Sequence, residues 1–207
     1  MDLALPIATL AVAQFLAVAS PGPSLVVVAQ TAMSASRRAA LANALGFGLG
    51  TFVWAASAMF GLALLFELAP WLYVGLKTAG AMFLLYLAYR LWRGAGEPFE
   101  ALATGARSTA FLPNVGLGLL TQLANPKVAL FFGSVFIALL PPEPGPAVAA
   151  LVLALVVAIE IVWYSAMAQA FSNARVRSSY AAFKGTADRV AGAFLALLGV
   201  GLLLDRR

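Results

Sequence analysis

The sequence predicts an all-α membrane protein of six transmembrane helices, arranged as two inverted three-helix repeats, with helices one and four broken at proline motifs. Three observations carry that expectation. Hydrophobic residues make up 63% of the chain and charged residues 10%, whereas a soluble domain carries roughly a quarter charged residues. The apolar residues come in runs of roughly 20, the length that crosses a bilayer, rather than as a surface-helix stripe. Two of the runs are interrupted in their middles by proline, in "AVASPGPSLVVV" (17–28) and "LANPKVALFF" (123–132).

Spans are expected at Leu3–Thr31, Leu41–Leu65, Trp71–Trp92, Leu112–Leu140, Pro146–Phe171 and Val190–Leu204, the short last one starting nearer Thr186. A single membrane domain, 1–207, then accounts for the whole length, with repeat one at about 1–100 and repeat two at about 105–207. Between them Arg93–Phe111, with Gly94, Gly96, Pro98 and Gly105, has the composition of a flexible linker. Leu3–Ser20 has the apolar core and small-residue end of a signal peptide. However, Asp2 and no Lys or Arg precede it, and Pro21 would follow the cut, so it reads as a retained span.

The charges are sided. Loops after spans one, three and five hold Arg37, Arg38, Arg90, Arg93, Arg107, Arg175, Arg177, Lys184 and Arg189. The other side holds only Arg206 and Arg207 among basic residues, with Glu67 and Glu143. Positive loops stay in the cytoplasm, so both termini are expected outside it. The net charge of +5 thus reads as membrane orientation rather than as a nucleic-acid surface.

The two breaks align. Setting Pro21 on Pro126 pairs Ala19 with Ala124, Ser20 with Asn125 and Leu25 with Leu130. Span three, "AGAMFLLYLAYRLW", likewise resembles span six, "AGAFLALLGVGLLL", with Ala79 on Ala191 and Gly80 on Gly192. Three spans per half force the second half into the bilayer upside down. Inverted repeats with discontinuous helices in matching places point to a secondary transporter with its site at the midplane.

An interior proline removes an N–H and clashes with the preceding turn, at about 3 kcal/mol. In lipid the freed carbonyls need partners, so such backbone survives only inside protein or along a cavity. Asn125 suits an N-cap and Pro126 a first helical position, so a half-helix is expected to begin there. Ser20-Pro21 or Gly22-Pro23 offers the same in span one. Both half-helix N-termini would then meet near the midplane, with unpaired N–H groups and positive dipole ends suited to a carboxylate. A plain proline kink is the simpler alternative at either break taken alone.

Two charges fall within spans, Lys127 just after the second break and Glu160 near the middle of span five. Charged groups at that depth usually face the bundle interior and function there. Lys127 could attract a substrate carboxylate. Glu160 could bind an ammonium or carry a coupled proton, or the two could form a structural pair. Lys77 lies nearer a span end and reads as snorkelling toward the interface. Gly46, Gly48 and Gly50 read as a close-packing face, and Gln14, Gln122 and Tyr164 as cavity-lining or helix-bridging groups. Trp71, Tyr73, Tyr89 and Trp92 suit an interfacial belt.

The chain has no cysteine and no histidine. Disulfides, thiol redox relays, Ser/His/Asp and Cys/His catalysis and the commonest metal ligands are therefore excluded. No enzyme, no metal site and no cofactor is expected.

At these residues the chain resembles the lysine-exporter family of bacterial amino-acid efflux proteins (the LysE/RhtB type). The resemblance runs through "SPGPS", the paired arginines of the first loop, the glycines opening span two, "GAMFLLYLAYRLWR", "ANPKVALFF" and the short glycine-containing last span. It implies export of amino acids or close derivatives, such as threonine, homoserine, leucine-like or basic amino acids, across the inner membrane by proton antiport. The family's break motifs carry over to Pro21, Gly22, Pro23, Asn125, Pro126 and Lys127; Glu160 joins these site candidates on its own position in span five. The sequence departs from the family's pattern in "SASRRAA" and at Phe83 and Ala88. The implied partners are an amino-acid substrate, the proton, the lipid bilayer and, if the chain self-associates, a second copy in a homodimer, with no nucleic acid. An exporter of divalent metal or another small solute is the alternative.

Overall fold

The computed structural model describes residues 3–20, 22–68, 70–95, 108–141 and 144–204. Pro21, most of the expected linker with Arg107, Glu143 and the Arg206–Arg207 pair lie outside the described residues, as do the side chains of Glu67, Trp71, Tyr73, Lys77, Arg175, Arg177 and Lys184. Within them the chain forms eight helices and no strand: α1 (Ala4–Ala19), α2 (Pro23–Ser34), α3 (Arg37–Leu68), α4 (Pro70–Gly94), α5 (Phe111–Leu123), α6 (Pro126–Leu139), α7 (Pro146–Phe171) and α8 (Ala174–Leu204).

Both breaks are present. The pairs α1–α2 and α5–α6 bend by 55° and 59°. Ser20 ends α1 in an extended conformation at ψ 136° and Asn125 precedes α6 at ψ 105°, as the residue before a proline must. Pro23 and Pro126 then occupy the first turns of α2 and α6, where the missing N–H has no helical partner to lose. Each bent pair has the length and hydropathy of one bilayer crossing, and so do Arg37–Gly61 of α3 and Pro146–Phe171 of α7 taken singly.

The last helix differs from expectation. α8 begins at Ala174, four turns before Val190, so the basic stretch expected as a loop is helical. Its alanines, arginines and single lysine are good helix formers, and hydropathy marks where a helix enters lipid, not where it starts.

Small residues set the helix contacts. α3 passes between α5 and α7, and the expected glycine face divides between them. A β-carbon at Gly46 would run into the Val115 carbonyl oxygen and lie 2.9 Å from Gly118 Cα, while one at Gly48 would lie 2.5 Å from Ile161 Cγ1 of α7. Gly50 faces α5 again, at 2.6 Å from Gln122 Cβ. The antiparallel pair α4–α8 has a seam of its own. β-carbons at Gly185, Gly192 and Gly199 would stand 2.5, 3.0 and 3.1 Å from the carbonyl oxygens of Ala95, Ala88 and Ala81. Glycine recurs every seventh residue along α8 and meets alanine every seventh residue in the opposite sense. That is the repeat of a left-handed helix pair with backbones in close approach.

The apolar interior falls into two clusters. One gathers Leu10, Ala55, Met59, Leu84, Phe131, Phe132, Val152 and Val156; the other gathers Leu25, Val28, Ala44, Phe47, Tyr164 and Phe171. Between them, one helical turn from each along α3 and α7, sit Thr51 and Glu160, both buried. Large apolar side chains, including Leu5, Leu49, Phe52, Leu120, Val162 and Leu197, face outward. Apolar outside with polar groups sealed inside is the distribution a bilayer selects.

Candidate functional site at the helix breaks

The buried polar layer is organised around Gln122, on the last turn of α5. Its Nε2 donates to Glu160 Oε1 at 2.6 Å and to Thr51 Oγ1 at 2.9 Å. Its Oε1 accepts from Ser24 Oγ at 2.7 Å, and its backbone oxygen accepts from Trp54 Nε1 at 3.3 Å. One side chain thus ties α5 to α2, α3 and α7 immediately before the second break. Glu160, 2% exposed, takes a second bond on its other oxygen, from Gln14 Nε2 of α1 at 2.9 Å.

Lys127 crosses from one break to the other. Its ammonium donates to the carbonyl oxygens of Ala17 (2.7 Å) and Ser20 (3.2 Å) and to Ser20 Oγ. These carbonyls belong to the C-terminal end of α1, whose last four have no helical partner and carry the negative end of the dipole. At the base of the same side chain, the Lys127 backbone N–H donates to Asn125 Oδ1 at 3.1 Å, so Asn125 is the side-chain N-cap of α6. α2 has no side-chain cap. Lys127 and Glu160 form no direct ion pair. Each is held by its own partners, though the carboxylates of Glu160 and of Asp188 on α8 both act electrostatically on the ammonium.

A small cavity of about 20 Å³, partly open to the outside, lies among these groups. Of the expected site residues, Gly22, Asn125, Lys127 and Glu160 line it, together with Gln14, Gln122 and Tyr164. Pro23 and Pro126 lie beside it in sequence as the starts of α2 and α6. Gly22 has extended backbone, and a β-carbon there would stand an ordinary 3.8 Å from Lys127 Nζ. Sequence reasoning missed Ser24, Thr51 and Asp188. The first two carry no charge to mark them, and Asp188 falls where the sixth span was expected only to begin, although it is buried. The chemistry on offer is recognition: donors and acceptors of both signs around a shielded space.

Comparison with known proteins identifies the family. The sequence profile of the LysE type translocator family matches residues 15–206. The chain belongs to this family. A threonine efflux protein of Salmonella typhi is 34% identical over 206 residues, which cover 96% of this chain and 97% of that one. The Escherichia coli K12 membrane protein YahN is 30% identical over 186 residues, 90% of this chain and 83% of its own. A leucine efflux protein of Enterobacter sp. strain 638 is 30% identical over 130 residues, 62% of this chain and 61% of its own. No solved structure matches. This LysE-type chain therefore belongs to a family of membrane translocators.

Proposed function

We propose that the chain exports amino acids or close derivatives across the bacterial inner membrane as a proton-coupled secondary transporter, with its substrate held at the two helix breaks. The observation that carries this reading is the buried layer in which Gln14, Gln122 and Glu160 from three different helices converge on a cavity bordered by both breaks. An amino acid is a zwitterion of matching polarity. Its ammonium suits the Glu160 side of the layer and its carboxylate the N-terminal ends of α2 and α6. Relatives named for threonine and leucine efflux favour the same substrate class.

In this reading α1–α2, α3 and α4 form one repeat and α5–α6, α7 and α8 the other, six spans in all with both termini outside the cytoplasm. The matched breaks support it, and so do the pairings α3 with α7 and α4 with α8, each of which would join equivalent helices of the two halves. Glu160 is the natural proton carrier, because it is the acidic side chain within the cavity. Nothing favours the divalent-metal alternative: among the described residues no three His, Cys, Asp or Glu side chains come together.

The test is transport itself. Purified protein in proteoliposomes, given labelled amino acids and an imposed pH gradient, is expected to move at least one of them faster than empty vesicles, and faster with the gradient than without. No movement across a broad panel rejects the amino-acid reading; movement indifferent to the gradient rejects the coupling alone.

A further inference from the structure

The two glutamines that hold Glu160 are not equivalent. Gln122 is saturated: both Nε2 hydrogens and the Oε1 acceptor are engaged, by Glu160, Thr51 and Ser24. Gln14 spends its Nε2 on Glu160 Oε2, at 2.9 Å, while its Oε1 is buried without any hydrogen-bond partner. The orientation of the amide is not arbitrary. An ionised carboxylate only accepts, so the nitrogen must face Glu160 and the oxygen must face elsewhere. Asn43 and Trp163 also carry an unpartnered buried atom, but neither lines the cavity, whereas Gln14 does.

We infer that Gln14 Oε1 is the acceptor for the ammonium group of the transported amino acid. This assignment rests on the exporter reading above and sharpens it. A buried acceptor left vacant is unusual in a folded protein, and this one belongs to a cavity-lining residue, within reach of a donor that enters the cavity. The sign of the occupant's group follows from the surroundings. Glu160 lies against the same amide and makes this part of the wall negative, while the Lys127 ammonium is held by the oxygens of Ala17 and Ser20. An amino acid's ammonium brings three N–H donors, one for Gln14 Oε1 and others for the adjoining carboxylate. Gln14 thereby reads the α-amino group common to all amino acids, leaving the side chain to other parts of the cavity.

The experiment compares competitors in proteoliposomes. In the wild type, an amino acid with a free ammonium should compete with labelled substrate at least about 10-fold better than its N-trimethyl analogue, which has the charge but no N–H. Gln14→Leu should raise KM for the amino acid about 10-fold with Vmax largely kept, and should leave the weak inhibition by the trimethyl analogue unchanged. Gln14→Met, unbranched and closer in length, carries the same expectation if the leucine variant does not fold. Equal competition by the two analogues in the wild type, an unchanged KM in the variants, or an equal loss for both competitors overturns the assignment. A wild type that moves no amino acid rejects the exporter reading itself, a failure distinguishable from these because it precedes any variant.

Discussion

The ammonium of Lys127 lies 2.7 Å from the carbonyl oxygen of Ala17, so the second residue of α6 closes the open end of α1. A cation at a helix C-terminus stabilises by about 0.3–1 kcal/mol when exposed and up to about 2 kcal/mol when partly buried. Here the bond also joins the two broken helices directly. Lys127→Met is expected to lower the melting temperature in detergent and to reduce amino-acid efflux at least about 10-fold, with membrane insertion intact. Lys127→Arg should recover stability more fully than transport. Wild-type efflux in the methionine variant would show that the link between the breaks is dispensable.

Helix capping at the second break can be separated from that link. Asn125 Oδ1 accepts the Lys127 backbone N–H, and removing such a cap costs about 1 kcal/mol. Asn125→Ala should therefore destabilise modestly, while Asn125→Ser or Asn125→Asp recovers most of the loss in thermal melts. Equal melting of the alanine and wild-type proteins would contradict the cap.

Glu160 is a shared acceptor for Gln14 and Gln122. Side-chain hydrogen bonds between membrane helices average about 0.6 kcal/mol and reach about 1.7 kcal/mol. Glu160→Leu forfeits two of them and should abolish transport while shifting melting by only a few degrees. Glu160→Gln retains the shape and one acceptor oxygen but removes the charge and the proton-carrying carboxylate, so transport should fail there as well. Efflux by the glutamine variant at the wild-type rate would remove the charge from the mechanism.

The α3–α5 crossing offers a steric control. A β-carbon at Gly46 would meet backbone atoms of α5, and one at Gly118 the backbone of Asn43, whereas Gly116 and Gly133 face open space. Gly46→Ala and Gly118→Ala are expected to destabilise by about 1–3 kcal/mol through overpacking. Gly116→Ala should match the wild type in melting temperature and yield. Similar behaviour of all three would mean that the helices do not approach as closely as drawn.

Orientation is tested without purification. A C-terminal reporter active only outside the cytoplasm should be active, and one active only in the cytoplasm should be silent. The opposite result would overturn the orientation read from the charges.

The breaks were the most legible part of the fold, because proline in an apolar run has few structural explanations. Asn125 and Pro126 sit as the sequence predicts, and of the two starts it offers in span one the chain uses Gly22-Pro23. The start of α8 was not legible, since a polar helix outside the bilayer leaves no trace in hydropathy. At the site, the charges Lys127 and Glu160 were visible as charges, but their partners were not. Lys127 bonds to backbone oxygens of residues 107 and 110 positions away, and backbone acceptors have no signature in residue type. The layer around Gln122 was hidden for a related reason: serine, threonine and glutamine serve equally as helix bridges anywhere in a bundle. The glycine spacing along α8 stood in the sequence throughout, yet only the matching alanines of α4 give it meaning.

That spacing constrains how the molecule can move. Along the seam of Gly185, Gly192 and Gly199 with Ala95, Ala88 and Ala81, a slide of one residue would bring bulky side chains against carbonyl oxygens that now face glycine. The next comfortable register is a full seven-residue step away, about 10 Å along the axis. The seam therefore locks α4 and α8 in one register along their shared length.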